Sequence, residues 1–234
     1  MDDFALCVRR KTLSRVESAT QLCVNSVQKW VTENGFKFSA SKMVCIYFHQ
    51  KYVFSPDPNI LLGKTPIKVV REEKFLSVIL DTKLTFKNHI QYLKTSCQKA
   101  LDILRVVGHT DWGADRIVLL RLYRSLVRSK LDYGCIVYGS ARRSIMKQLD
   151  PIHHQGLRNA LGAFRTSPAQ RLYIEAHEPS LTTRRLKLSL NYGLKLKSLP
   201  ENPAYSCVFE PKTNYLKNRS QRFTSWHPHS SPLG

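Results

Sequence analysis

The spacing of apolar residues changes near residue 86. Before it, short apolar runs are separated by turn residues. After it, apolar residues recur every three or four positions. Residues 4–8 (FALCV) are a compact apolar run and predict a buried strand. Residues 12–34 predict a helix, because Leu13, Val16, Leu22, Cys23, Val27, Trp30 and Val31 keep helical spacing. Thr12 or Ser14 can cap its start, and Gly35 follows its end. Residues 43–48 (MVCIYF) predict a second strand. Residues 60–62 and 67–70 predict short strands around a turn at Gly63-Lys64, and residues 75–80 (FLSVIL) predict another strand.

Beyond residue 86 the pattern predicts helix after helix. In 89–107, Ile90, Leu93, Cys97, Leu101 and Leu104 form one stripe. In 115–131, Arg121, Arg124 and Arg128 fall within about 60° of each other at 100° per residue, with Leu119, Leu122 and Leu126 roughly opposite. One face suits a core and the other suits anions. Asp150-Pro151 places a cap and an early proline before a helix running to about Phe164. Ser167-Pro168 repeats that signal before 169–177, and Ser180 precedes a helix ending near Leu199. The expected fold class is α+β. The expected parts are a partial β-rich domain at 1–85, a helical domain at 86–199, and a linker or frayed end at 200–234.

Charge sharpens this picture. The 234 residues carry 37 Lys+Arg against 17 Asp+Glu, a formal net of +20. Residues 1–90 hold 14 basic and 8 acidic residues, whereas residues 91–199 hold 19 and 7. The excess therefore sits in the helical block. It predicts a polyanionic partner, nucleic acid first and an anionic membrane surface second. No stretch approaches the roughly 20 apolar residues of a membrane span. The opening Met1-Asp2-Asp3-Phe4 puts acids where a secretory signal would put bases. The six cysteines form no C-x-x-C pair, and each sits in an apolar run, as reduced core residues do.

Asp2-Asp3 precedes the first apolar run. Adjacent carboxylates at a strand edge suit hard divalent cations such as Mg²⁺. Two-metal nucleotidyl transfer needs such groups to hold ions about 4 Å apart. The run MDDFALCV, then a helix, then GFKFSASKMVCIYF and FLSVILDTKLTFKNHI resembles the C-terminal palm motifs of non-LTR retrotransposon reverse transcriptases, especially jockey-like and tick-type elements. The segments HTDWGADRIVLLRLYRSLVRSKLDYGCIVYGSA, LDPIHHQGLRNALGAFRTSP, YIEAHEPSL and NPAYSCVFEP resemble the thumb region of the same elements. The resemblance spans roughly residues 2–212.

The resemblance implies an RNA-directed DNA polymerase fragment, truncated at its N-terminus and expected to be inactive alone. It implies that Asp2 binds catalytic Mg²⁺ and that Asp3 supports the same site. Met1 stands inside the family's aromatic-x-Asp-Asp motif, and the aromatic is missing. Lys42 falls where related polymerases keep a candidate general acid for pyrophosphate, with Met43 where the family has Thr. Residues 75–81 match the primer-grip hairpin, so Phe75 and Leu76 are nucleic-acid candidates. Ser77 stands where the family prefers Gly. The implied partner is an RNA/DNA template–primer, with dNTP as substrate in the full-length family, and the implied location is nuclear; no clear import signal is present.

Arg116, Arg121, Arg124, Arg128, Lys130, Arg142, Arg143 and Arg158 are the phosphate-contact candidates, since a thumb follows the duplex by backbone charge. The alternative for each is solvent, or an intramolecular pair with Asp132 or Asp150. Trp112 and Tyr138 read as packing residues, and His153-His154 as a polar helix face or phosphate contact. Asp132-Tyr133 looks family-like, with no chemistry assigned. Two further readings stay open: a non-catalytic basic nucleic-acid-binding protein derived from a retroelement, and a protein-interaction domain whose charge serves solubility.

Overall fold

The computed structural model describes residues 4–49, 56–109 and 113–209. Asp2, Asp3, Trp112 and the tail beyond 209 lie outside them. The chain divides into two compact units, the first ending at Leu181 and the second beginning at Thr182. The architecture is α+β: small strand pairs, then a helical array.

The first unit opens with α1 (Leu13–Glu33), whose helical spacing matches the sequence pattern. Only Val24 and Val31 are buried on it, while Leu22 and Trp30 are exposed. Trp30 instead stacks on Phe36, with ring centroids 6.4 Å apart. Residues 4–10 form no strand, which corrects the first expectation: Phe4 is 67% exposed, and no strand among the described residues pairs with this segment. The 43–48 run contributes only β1 (Val44–Cys45), paired in parallel with β4 (Lys68–Val69). Between them, β2 (Leu61–Leu62) and β3 (Thr65–Pro66) form a hairpin around the expected turn, with Gly63 at φ +61°.

Residues 75–80 are not one strand. β5 (Glu72–Phe75) turns back into β6 (Val78–Asp81) through Leu76 and Ser77. An apolar run cannot reveal such a turn, because neither residue is a Gly or Asn that would mark its left-handed backbone. Asp81 ends the hairpin and starts the helical array. Its carboxylate accepts from the Thr85 N–H and hydroxyl at 3.0 Å each and from the Phe86 N–H at 2.9 Å. Burial raises the Asp81 pKa, but these donors outweigh it and hold it below the ordinary value. The carboxylate thus satisfies N–H groups at the mouth of α2 (Lys87–Val107).

The core lies in the helical array. Ile90, Leu93, Cys97, Leu101 and Leu104 are all buried on α2, as their stripe predicts. The next helix is α3 (Arg116–Tyr123), capped by Asp115 accepting from the Val118 N–H at 2.7 Å. It runs into a π turn (Arg124–Arg128) and then α4 (Ser129–Asp132). The Ser129 N–H reaches back five residues to the Arg124 carbonyl. The buried stripe is Leu119, Leu120, Tyr123, Val127 and Leu131, which fall within about 120° of each other at 100° per residue, while Leu122 and Leu126 are half-buried at its edge.

Short helices α5 (Cys135–Tyr138) and α6 (Arg143–Met146) lead to α7 (Asp150–Leu161) and α8 (Ala169–Ala176). Pro151 sits at the start of α7, and Gly162 ends it in the left-handed region. Helix α7 packs against α2 and α3 through Gly156. A Cβ there would lie 2.6 Å from the Tyr123 ring and 3.1 Å from Leu101. In the second unit, α9 continues from Leu181 to Lys197. Part of the expected linker is a short helix, α10 (Pro203–Phe209), where Asn202 Oδ1 accepts from the Ala204 N–H at 2.9 Å.

Buried beside this crossing are two polar groups. Tyr123 Oη and His153 Nδ1 share a hydrogen bond at 2.5 Å, and His153 is 1% exposed. Burial, with the neighbouring His154, lowers the His153 pKa to about 4.

Two outcomes are expected. Gly156→Ala should cost about 1–3 kcal/mol in urea denaturation, because the added methyl forces the helices apart. Alanine's better helix propensity, about 1 kcal/mol, works against that loss; an unchanged midpoint would mean the crossing has slack. For His153, the unfolded chain takes up a proton near pH 6.5 and the folded chain only near pH 4. Its stabilisation is complete above 6.5 and is lost as pH falls towards 4, by on the order of 3 kcal/mol. His153→Gln should flatten the stability profile across that window; an equally steep profile would contradict the assignment.

Candidate nucleic-acid interface

The arginines of α3 and the π turn have partners. Glu178, in the segment after α8, is 3% exposed. Arg124 Nε donates to Glu178 Oε1 at 2.6 Å, and its other nitrogen donates to the Ala176 carbonyl at 3.2 Å. Arg128 Nη1 donates to both Glu178 oxygens, at 2.6 and 2.8 Å. Arg128 also lies 3.8 Å from Asp132. Arg116 pairs with Glu175 at 2.5 Å and donates to its carbonyl at 2.6 Å. The acids that engage Arg116 and Arg124 are thus Glu175 and Glu178, not Asp132 or Asp150. No local spacing could reveal them, because 50 or more residues separate the partners.

The remaining cations differ in their environments. Arg121, Arg142 and Arg143 are exposed and make no ion pair among the described residues. Lys130 Nζ donates to the Ser96 carbonyl at 3.3 Å. Arg158 is half-buried and donates to the Ser167 carbonyl at 3.0 Å, tying down the link between α7 and α8. Lys42 is exposed at the end of a short 3₁₀ turn (Ala40–Lys42).

The β5–β6 hairpin places Phe75 half-buried at the end of β5 and Leu76 exposed at the tip. Leu76 and Ser77 both adopt left-handed backbone, φ 44° and 64°. A two-residue turn of this type favours Gly or Asn. A glycine at position 77 would adopt this backbone without strain. The hairpin is tied to the helices by His89, whose Nδ1 accepts from the Ile79 N–H at 3.3 Å, and by Tyr133, whose hydroxyl donates to the Leu76 carbonyl at 3.0 Å. Lys74 Nζ lies 4.7 Å from the centre of the Tyr92 ring.

His153 faces Tyr123 inside the core, so it is not placed to meet phosphate. His154 Nε2 pairs with the Tyr173 hydroxyl at 2.6 Å. Tyr138 is fully buried and donates to the Leu131 carbonyl, a packing role. Among the described residues, no three His, Cys, Asp or Glu side chains converge as a metal site. Asp2 and Asp3 lie outside those residues. Burial pushes the Cys97 thiol up to about 11, which keeps it protonated and inert. No helix among the described residues is long and apolar enough to cross a membrane.

The chain resembles known proteins in sequence. It is 24% identical over 244 residues to the RNA-directed DNA polymerase from mobile element jockey of Drosophila melanogaster, covering 99% of this chain and 25% of that protein. It is 26% identical over 137 residues to the Retrovirus-related Pol polyprotein from type-1 retrotransposable element R1 of Bradysia coprophila, covering 58% of this chain and 14% of that one. It is 26% identical over 133 residues to a probable RNA-directed DNA polymerase from transposon X-element of Drosophila melanogaster, covering 55% and 14%. The chain therefore spans a quarter or less of the length of these relatives. No family model matches the chain, and no solved structure matches it. The relatives of this chain thus include RNA-directed DNA polymerases of mobile elements such as jockey and a Pol polyprotein of the retrotransposable element R1.

Proposed function

We propose that this chain is the part of a non-LTR retrotransposon reverse transcriptase that holds the template–primer. The observation that carries the reading is the match to the jockey polymerase over 99% of the chain. The chemistry of the surface supports it. Arg121, Arg142 and Arg143 present charge to solvent, and the hairpin tip offers Phe75, Leu76 and their backbone. Arg116, Arg124, Arg128 and Arg158 shape that surface through their internal pairs. Lys130 anchors α4 to α2 in the same way.

Asp2 and Asp3 are hard oxygen donors, and we assign them to Mg²⁺, which would neutralise charge on the transferring phosphate. Lys42 is assigned to the pyrophosphate side of that reaction. The location implied is the nucleus, where the duplex to be extended lies. The domain reading follows: 1–85 as the end of a palm, 86–199 as a thumb-like helical part, and 200–234 as a link.

A thumb that follows the backbone by charge should show steep salt dependence. The logarithm of the binding constant for duplex falls by about 0.9 per phosphate neutralised for each decade of salt. Filter binding of the chain to an RNA–DNA primer–template is expected to show a slope of several contacts. Arg121→Ala, Arg142→Ala and Arg143→Ala together should lower that slope by about three. A parent chain that fails to retain duplex at low salt would refute the function. An unchanged slope in the triple variant would refute the assignment of these three residues.

A further inference from the structure

The turn that follows α4 belongs to no function assigned so far. Its residues, Tyr133 and Gly134, sit beside the tip of the β5–β6 hairpin. That tip is formed by two non-glycine residues in left-handed backbone, Leu76 at φ 44° and Ser77 at φ 64°. Each is disfavoured by contact between its own Cβ and the backbone, so local sequence does little to hold this turn closed. Something outside the hairpin has to hold it.

Two contacts do so. Tyr133 Oη donates to the Leu76 carbonyl at 3.0 Å, across 57 positions of sequence. Gly134, at φ +66°, brings bare backbone against β6, where a Cβ would lie 2.9 Å from Val78 Cγ2. Any larger residue would push the hairpin away from the helix end. Tyr133 is itself 55% exposed, so its hydroxyl bond is made at the surface, where a nucleic-acid backbone could also lie.

We propose that Tyr133 is a positioning residue for duplex binding: it locks the hairpin tip to the end of the arginine-bearing helix, so that tip and helix meet the primer–template as one rigid surface. This rests on the template–primer reading above. Its physical content is pre-organisation. A tip already held in place pays no ordering cost when phosphate arrives, whereas a loose tip pays it at binding. Tyr133→Phe removes only the donor and keeps the ring, so the fold is retained.

The test uses the full chain, with hydrogen exchange at the amides of 76–78 and titration of an RNA–DNA primer–template across salt. Tyr133→Phe is expected to speed exchange at the tip and to weaken affinity three- to tenfold. The salt slope should stay as in the parent, because no Lys or Arg is removed, so the lost affinity reports ordering of the tip rather than a lost charge. Adding Ser77→Gly, which relieves the left-handed backbone, should restore much of the affinity. Faster exchange with unchanged affinity would overturn the proposal, as would unchanged exchange. If the parent itself fails to bind, the template–primer reading falls, while the exchange result still reports whether Tyr133 holds the tip.

Discussion

A carboxylate buried without partners would be too costly for the fold to carry, and Glu178 is almost fully buried. It is tolerated because Arg124 and Arg128 converge on it from the π turn. That convergence does three things. It pins the segment after α8 to the middle of the helical array. It places the wide turn where two guanidiniums can reach one carboxylate. It also screens charge that would otherwise crowd one helix. Arg124 extends the clamp to the Ala176 carbonyl, so the end of α8 is held as well. Losing both arginines would strand the Glu178 charge in the interior, whereas Arg124 and Arg128 themselves keep contact with solvent.

The clamp changes how the +20 charge is distributed in effect. A stripe of three arginines on one helix face reads as an open anion surface. In the folded chain, two of the three serve the interior edge of that surface, and Arg121 alone remains outside. Arg142 and Arg143 add their charge from a different element, α6. Our reading of duplex binding therefore relies on cations gathered from several short segments rather than on one helix. The hairpin enters the same reading through its ties to α2 and α4, by way of His89 and Tyr133. Where the tip goes, the helices go.

Much of this was legible in the chain itself, and the failures have physical causes. The α2 stripe was readable because burial on one side of a regular helix imposes a regular period. The turn at Gly63-Lys64 was readable because glycine marks left-handed backbone. The strand expected at residues 4–8 was not realised, because an apolar run becomes a strand only when a neighbour supplies hydrogen bonds. The hairpin turn was legible only through the family resemblance, since Leu76 and Ser77 offer no glycine to mark left-handed backbone and are held by a distant tyrosine. The core face of α3 and the turn after it was only partly legible, because it is centred on Tyr123, Val127 and Leu131 rather than on Leu122 and Leu126, and an amphipathic helix rich in leucine on two sides does not say which side packs. Glu175 and Glu178 were invisible as partners, since ion pairs across 50 or more residues leave no local trace. The two aspartates at the start of the chain were legible only through family resemblance.

The account stands or falls most directly on the buried clamp. Glu178→Gln keeps shape while removing the charge that Arg124 and Arg128 enclose. Urea denaturation of this variant at pH 7 should show a loss of about 1–3 kcal/mol relative to the parent. A variant as stable as the parent would mean that the two arginines are free for other partners and that the open stripe, not the clamp, describes this helix.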